Sequence, residues 1–246
     1  MESYDTGMAF FASLGQRNKQ PELMDQPDLA AAAHNQALHA LARINWLSGS
    51  ARILWPALRR LAEEKRGQPL RVLDIATGGG DVPICLHQRA KRTGLVIQFS
   101  GVDVSPTAID HARQRADQAG AAVTFFSLDA LRGSLPGDYD VIMSSLFLHH
   151  LERDQAIDLL RRMGDAARSM VLINDLIRSR SGYCLAWLGA RVLTMSHVVH
   201  VDGPRSVAGA FTMAEACQLA DAAGLLGAVA SWRWPFRFLL QWRRPA

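Results

Sequence analysis

The chain has 246 residues, of which 49% are hydrophobic and 20% are charged, so it fits one α/β domain with additional covering segments. The net charge of +4 is mildly basic, but the arginines are scattered, which favours an ordinary solvated surface over a basic tract. The three cysteines match neither a zinc-binding spacing nor a redox pair, which predicts a reducing, cytoplasmic location. We recognise no signal peptide and no apolar stretch long enough for stable membrane insertion.

The first 66 residues are predicted to form a helical N-terminal lid. Apolar residues recur there at helical spacing, and Pro21, Pro27 and Pro56 divide the segment. The sequence "GQP" at 67–69 ends this helical pattern. We therefore place a boundary between a lid at 1–66 and a core at 67–246.

From residue 70 onward, short apolar strands alternate with helices. This alternation predicts a parallel sheet that is covered on both faces and has its strand carboxyl ends at one rim. Residues 179–210 show a helical pattern only around "YCLAWLGARVL", and we interpret them as an insertion that covers the substrate. A capped helix after Thr212 and the alternating "FRFLLQWRR" predict a terminal antiparallel hairpin, which we favour over a membrane-surface contact. The predicted fold is thus α/β: a doubly wound, mostly parallel, seven-stranded Rossmann-like sheet.

The stretch "LDIATGGGDVP", residues 73–83, is an apolar strand followed by a glycine-rich turn. A Walker A loop is excluded because Gly80 is not followed by Lys and then Ser or Thr. A dinucleotide fingerprint is disfavoured because Pro83 replaces its third glycine, and because Asp81 brings negative charge to the position of the pyrophosphate. The remaining interpretation is the spacing Asp-x-Gly-x-Gly-x-Gly, matched by Asp74, Ala76, Gly78 and Gly80.

This spacing resembles motif I of the class I S-adenosylmethionine-dependent methyltransferases. The cofactor of that family carries an ammonium, a carboxylate and a sulfonium instead of a phosphate, so an acidic residue beside the turn is electrostatically suitable. Ala76 departs from the family's first glycine, and the turn is expected to survive if the φ of Ala76 is negative.

Acidic residues also follow the next two strands, as in this family. The resemblance implies that Asp103 in "GVDVS" accepts hydrogen bonds from the ribose hydroxyls. It further implies that Asp129 in "SLDA" lies near the adenine amino group, and that Ser145 in "MSSLF" lies beside the methionine moiety. The full set of expected cofactor contacts is Asp74, Ala76, Thr77, Gly78, Gly80, Asp103, Val104, Asp129, Ala130 and Ser145.

The acceptor is expected to be a small apolar or aromatic molecule, either phenolic or polyketide-like. The segment "INWLSGSARILWPAL" resembles the lid helices of the ubiquinone/menaquinone-methyltransferase branch. "SSLF" replaces the Asn/Asp-Pro-Pro-Tyr/Phe motif of enzymes that methylate DNA adenine or protein glutamine, so we expect no DNA partner. The expected acceptor contacts are Phe10, Trp46, Phe147, Trp187 and Arg205.

A histidine base would assist methylation of a phenol, whose pKa is about 10. Two groups of histidines qualify: His149 and His150 after the fourth strand, and His197 and His200 in "SHVVHVDGPR". The His-x-x-His-x-Asp spacing of the second group is too weak to assign a metal, and we predict none.

O-methylation is the preferred function, and three alternatives stay open. They are C-methylation of an electron-rich quinol-type ring, a cofactor-binding scaffold without turnover, and methylation of RNA, which the basic pI of about 9.3 permits. A homodimer is compatible with the sequence.

Overall fold

The computed structural model describes residues 14–23, 36–37, 40, 43–44 and 49–245. Phe10, Trp46 and much of the predicted lid therefore lie outside the described residues.

Within the described residues, seven strands form one sheet. They are β1 (Leu70–Ile75), β2 (Ile97–Asp103), β3 (Val123–Ser127), β4 (Val141–Ser145), β5 (Met170–Leu176), β6 (Val229–Arg233) and β7 (Arg237–Arg243). Their order is β3-β2-β1-β4-β5-β7-β6, with β1 to β5 parallel and β7 antiparallel to both β5 and β6. The predicted mostly parallel sheet with a C-terminal antiparallel hairpin is confirmed.

Seven helices connect or cover these strands in the described part of the chain. They are α1 (Ser50–Glu64), α2 (Asp81–Thr93), α3 (Pro106–Gln118), α4 (Arg153–Ala166), α5 (Arg180–Leu193), α6 (His197–Gly209) and α7 (Met213–Ala222). Ser105 caps α3 by accepting a hydrogen bond from the Ala108 N–H, and Thr212 and Glu215 form a reciprocal capping box at α7. None of these helices has the length and apolar character needed to cross a membrane.

Helix α1 covers the sheet, although it falls within the segment predicted as a lid. Leu54 and Leu58 are fully buried and share one apolar cluster with Val72 of β1 and Leu172 of β5. Each such leucine stabilises the fold by about 1.5–3 kcal/mol through its burial. The last part of the 1–66 segment thus contributes to the core.

The 179–210 segment is more regular than its sequence pattern indicates, because it forms the two packed helices α5 and α6. Helix α6 contains Pro204 in its interior and has a weak helical periodicity, which hid it from pattern analysis. Its buried face includes Val198, Val199 and Val207. Tertiary packing therefore decides the structure of this segment.

Candidate active site

The glycine-rich turn lies at the carboxyl end of β1 and has a left-handed backbone at three positions. The φ angles of Ala76, Gly78 and Gly80 are +53°, +54° and +70°. The condition set for Ala76, a negative φ, is therefore not met, and the turn forms nonetheless. The turn is held from outside, since the Thr77 N–H donates to the Val102 carbonyl at 2.9 Å. This contact offsets a left-handed alanine's cost of about 1–2 kcal/mol.

Gly80 is required by its surroundings as well as by its φ. A Cβ atom at this position would lie 2.7 Å from Phe125 Cζ and 2.9 Å from Ala112 Cβ. Sequence spacing alone could not show this close approach between the turn, α3 and β3.

The turn contains a buried acid in an unusual environment. Asp74 is buried, and one of its carboxylate oxygens accepts a hydrogen bond from the Thr77 hydroxyl at 2.7 Å. The other oxygen has no hydrogen-bond partner among the described residues. Burial raises the pKa of Asp74 to about 8; the Thr77 bond opposes this rise, and the nearby carboxylates of Asp81 and Asp103 add to it. Such a site favours a cationic group and disfavours a pyrophosphate.

Asp103 and Asp129 lie at the same rim of the sheet. The two oxygens of Asp103 accept hydrogen bonds from the N–H groups of Gly78 and Ser105, each at 2.9 Å. Asp129 accepts from the Leu131 N–H at 2.9 Å. Each oxygen has a further lone pair, so both carboxylates can still accept hydrogen bonds from a ligand.

One cavity of about 1040 Å³ extends along this rim. Ligand pockets usually measure about 300–1,000 Å³, so the space suits a cofactor together with an acceptor. The cavity wall brings together ten of the residues predicted from sequence: Ala76, Thr77, Gly78, Asp103, Val104, Asp129, Ala130, Phe147, His149 and His150.

The other predicted cofactor residues support this wall without lining it. Asp74 and Gly80 lie behind the turn, and Ser145 accepts a hydrogen bond from the Asn174 amide at 2.7 Å. Their assignments as direct cofactor contacts stay predictions.

Four further predicted residues lie away from the cavity wall: Trp187, His197, His200 and Arg205. His200 Nε2 lies 2.8 Å from the Thr194 carbonyl, and Arg205 donates to the Pro21 carbonyl at 3.0 Å. Trp187, His200 and Arg205 line a separate cavity of about 260 Å³. The roles of the two histidines as catalytic base and of Trp187 and Arg205 as acceptor contacts stay predictions.

The same cavity wall includes Glu22, His149 and His150, and the buried Asp175 contacts His149 without lining the cavity; we call these four side chains the histidine–carboxylate cluster. His149 Nδ1 lies 2.6 Å from Asp175 Oδ1, and both side chains are buried. The Nε2 atoms of His149 and His150 each lie 3.8 Å from a carboxylate oxygen of Glu22. Burial alone would raise the pKa of Asp175, but attraction to His149, together with hydrogen bonds from His149 and the Leu176 N–H, lowers it overall.

Glu22 reaches the cluster on a segment, residues 14–23, that we call the strap. The Asn18 N–H donates to the Ala208 carbonyl at 3.1 Å. The Arg17 guanidinium donates to three carbonyls, including that of His149 at 2.9 Å. The buried Arg178 donates to the carbonyls of Leu14 and Ala210 and to the Glu215 carboxylate. The strap is therefore fixed against both α6 and the end of β5.

Sequence reasoning missed Glu22 and Asp175. Asp175 ends a predicted strand at the ligand-binding rim, and that position could have identified it. Glu22 carries no comparable signal, because it is distant in sequence from both histidines and no motif links them.

Residues 72–169 match a protein family described as a methyltransferase domain. The chain contains a class I S-adenosylmethionine-dependent methyltransferase domain. The predicted family is thus confirmed, and the matched segment runs from β1 to the start of β5.

Curated relatives of this methyltransferase domain include two bacterial proteins. Demethylmenaquinone methyltransferase of Thermus thermophilus is 34% identical over 115 residues, which cover 46% of this chain and 50% of that protein. The enzyme of the same name from Deinococcus radiodurans is 41% identical over 75 residues, 30% of each chain. The chain thus matches half or less of the length of these relatives.

Solved structures share the fold at low sequence identity. The S-adenosylmethionine-dependent methyltransferase SibL, in its apo form, superposes with a TM-score of 0.63 at 18% identity, over 100% of this chain and 71% of that one. The O-methyltransferase NcsB1, in complex with S-adenosylhomocysteine and 1,4-dihydroxy-2-naphthoic acid, gives a TM-score of 0.60 at 18% identity, over 87% and 58%.

Proposed function

We propose that the protein transfers a methyl group from S-adenosylmethionine to a hydroxyl of a small aromatic acceptor. The observation that carries this proposal is the single cavity that connects the glycine turn with the histidine–carboxylate cluster. A methyl donor and an acceptor must lie side by side for in-line displacement, and a cavity of about 1040 Å³ has room for both.

The turn suits the methionine end of the cofactor. Its left-handed backbone and small side chains allow close approach, and the carboxylates of Asp74 and Asp103 favour the ammonium and sulfonium charges. The ribose hydroxyls then meet Asp103, and the adenine meets Asp129 and Ala130, which all border the cavity. Binding of a cation beside Asp74 lowers the pKa of that carboxyl, because the charged form gains a partner.

The acceptor chamber has mostly apolar walls and a polar end. Its apolar lining includes Phe147 and the α5 residues Leu185, Ala190 and Leu193. A flat aromatic ring fits such walls, while its hydroxyl faces the histidine–carboxylate cluster. In the reaction the methyl–sulfur bond breaks, the methyl–oxygen bond forms, and the hydroxyl proton leaves through the cluster. The cluster lies on the cavity wall, where it can accept this proton, and so supports O-methylation.

C-methylation of a quinol-type ring is the second candidate. It is favoured by the similarity to proteins named demethylmenaquinone methyltransferase, one of them 34% identical over 115 residues. The same chamber can present a ring carbon to the methyl group if the ring is rotated within the apolar walls.

Cofactor binding is the first test. Calorimetry should show one S-adenosylhomocysteine site per chain and no NAD binding. The reverse result would overturn the assignment of the turn.

Methyl transfer is the second test. Radiolabelled S-adenosylmethionine should label a phenol or dihydroxynaphthoate from an acceptor panel, and NMR of the product should place the methyl on oxygen. A methyl on carbon would establish the second candidate. Tight cofactor binding without turnover on any acceptor would favour the non-catalytic scaffold, and salt-dependent labelling of RNA would favour RNA methylation.

A further inference from the structure

Three side chains with metal-binding atoms converge at the polar end of the cavity. One ligand atom from each of Glu22, His149 and His150 lies within 4.8 Å of the other two. Ligand atoms about 2 Å from a tetrahedral ion lie about 3.4 Å from one another. The 3.8 Å distances from Glu22 to the two Nε2 atoms are only slightly longer than this value. The geometry points to a zinc site formed by Glu22, His149 and His150, with its fourth position open to the cavity.

Asp175 orients His149 for this role. It lies 2.6 Å from His149 Nδ1, so that nitrogen carries the proton and Nε2 presents its lone pair toward Glu22. The second Asp175 oxygen accepts the His149 backbone N–H at 3.2 Å and fixes the carboxylate. A carboxylate behind the remote nitrogen is the arrangement that holds metal-binding histidines in one tautomer.

A histidine that acts only as a base needs one carboxylate partner, so such a role does not explain the presence of Glu22. The partner of such a base lies at its remote nitrogen, and Asp175 already occupies that position. Glu22 instead lies 3.8 Å from His149 Nε2, at the nitrogen that Asp175 does not contact. This separation is too long for a direct hydrogen bond and leaves room for an ion that binds both atoms.

The surroundings fix Glu22 and leave its charge for the cluster. The Ser206 hydroxyl donates to Glu22 Oε1 at 2.6 Å, which orients the carboxylate. The nearest cations of the strap pair with another acid, since Lys19 and Arg17 lie 3.0 and 3.8 Å from Glu152. Two imidazoles and one carboxylate form a donor set that suits zinc and leaves one position for a ligand.

The open fourth position of the zinc site indicates the chemical class of acceptor that would bind there. An aromatic hydroxyl bound there loses its proton more readily, because the ion stabilises the phenolate. This catalytic role rests on the proposed function, whereas zinc binding itself does not.

Zinc binding can be measured without any turnover. Untagged full-length protein is stripped with a chelator, and then titrated with Zn²⁺ against a chromogenic chelator and with Co²⁺ by absorption. We expect one ion per chain and a tetrahedral cobalt spectrum without a thiolate charge-transfer band, which excludes the three cysteines as ligands. Glu22→Gln and His150→Ala should each weaken zinc binding at least about 100-fold, and Asp175→Asn about 10- to 100-fold.

His87→Ala is the matched control, because His87 lies on α2 outside the cavity wall and its ring accepts a hydrogen bond from the Ala122 N–H at 3.3 Å; its zinc affinity should equal that of the wild type. Absence of stoichiometric binding, a thiolate band, or unchanged affinity in Glu22→Gln would overturn the site. Glu22→Gln preserves shape and the Ser206 contact, so it decides the question if His150→Ala does not fold. S-adenosylhomocysteine binding, measured on the same samples, separates failure of the zinc site from failure of the proposed function.

Discussion

The two ends of the cavity are constructed in different ways. At the end with the glycine turn, the cavity wall comes from backbone turns and acids directly after β1, β2 and β3, so each of these residues lies within a few residues of a strand. At the histidine end, the cluster combines side chains from the strap, from the turn after β4 and from β5. The first end follows from the order of the strands, whereas the second exists only once distant segments have packed. The following predictions test how far this division holds, from the largest expected effect to the smallest.

His149→Ala should separate the two ends most clearly. We expect turnover at saturating cofactor to fall about 1,000-fold, because the cluster loses the group that faces the acceptor. Affinity for S-adenosylhomocysteine should stay within about twofold of the wild type, since the His149 ring contacts Asp175, Glu22 and His150 within the described residues and not the glycine turn. Turnover by radiolabel transfer and affinity by calorimetry provide the measurement, with His87→Ala, outside the cavity wall, as control. A parallel loss of cofactor affinity would show that the ends are coupled.

Asp103→Ala should produce the opposite pattern. Loss of a charged acceptor for two ribose hydroxyls is expected to weaken S-adenosylhomocysteine binding about 100-fold, or about 3 kcal/mol. The exposed Asp117 on α3 provides the matched control, and Asp117→Ala should leave the affinity unchanged. Equal calorimetric affinities for the two variants would remove Asp103 from the cofactor site.

Two glycines that flank α2 isolate the effect of close packing at the turn. Gly80 and Gly94 share a φ of +70°. A Cβ atom at Gly80 would clash with Phe125 and Ala112, whereas a Cβ atom at Gly94 would have no heavy atom within 4 Å. Gly80→Ala should therefore destabilise the protein by about 2–4 kcal/mol, and Gly94→Ala by about 1 kcal/mol. Denaturant unfolding measures both. Equal losses would mean that backbone conformation, not packing, requires Gly80.

The stability of the cofactor-free protein should decrease as the pH rises, because of Asp74. Its pKa is about 8 in the folded protein, against an ordinary value of 3.8 for an aspartate side chain, so between these values the folded state binds more protons than the unfolded state. The free energy of unfolding then falls with rising pH, by at most about 1.4 kcal/mol per unit from this group. Asp74→Asn should flatten the dependence between about pH 5 and pH 8 in thermal unfolding. An unchanged slope would contradict the unusual pKa.

Ala76→Gly has the smallest expected effect. Glycine removes the left-handed strain at φ +53° but gains freedom in the unfolded chain, so we expect a net stabilisation of about 0.5–1 kcal/mol. Denaturant unfolding should show a higher midpoint with an unchanged slope. A destabilised variant would show that the alanine methyl contributes packing that exceeds its strain.

The wall around the glycine turn was largely accessible from the sequence, because strand periodicity and position after a strand are local signals. Asp103 and Asp129, which the family resemblance assigned to the cofactor at the ends of two strands, both line the cavity. The left-handed φ of Ala76 was missed because the Val102 carbonyl that holds the turn comes from a neighbouring strand. Glu22 and α6 were missed for a related reason: both are positioned by contacts between distant segments, and neither has a periodic pattern of its own.

The hydrogen bonds of Arg178 have a consequence for how substitutions can change the acceptor preference of this protein. Its guanidinium joins the start of the strap, the end of α6 and the acid that caps α7, so three separate segments share one fixed reference point on the sheet. Substitutions further along the strap can then reshape the acceptor wall while this anchor keeps the register of the segment. New acceptor preferences could arise there without disturbing the part of the molecule that binds the methyl donor.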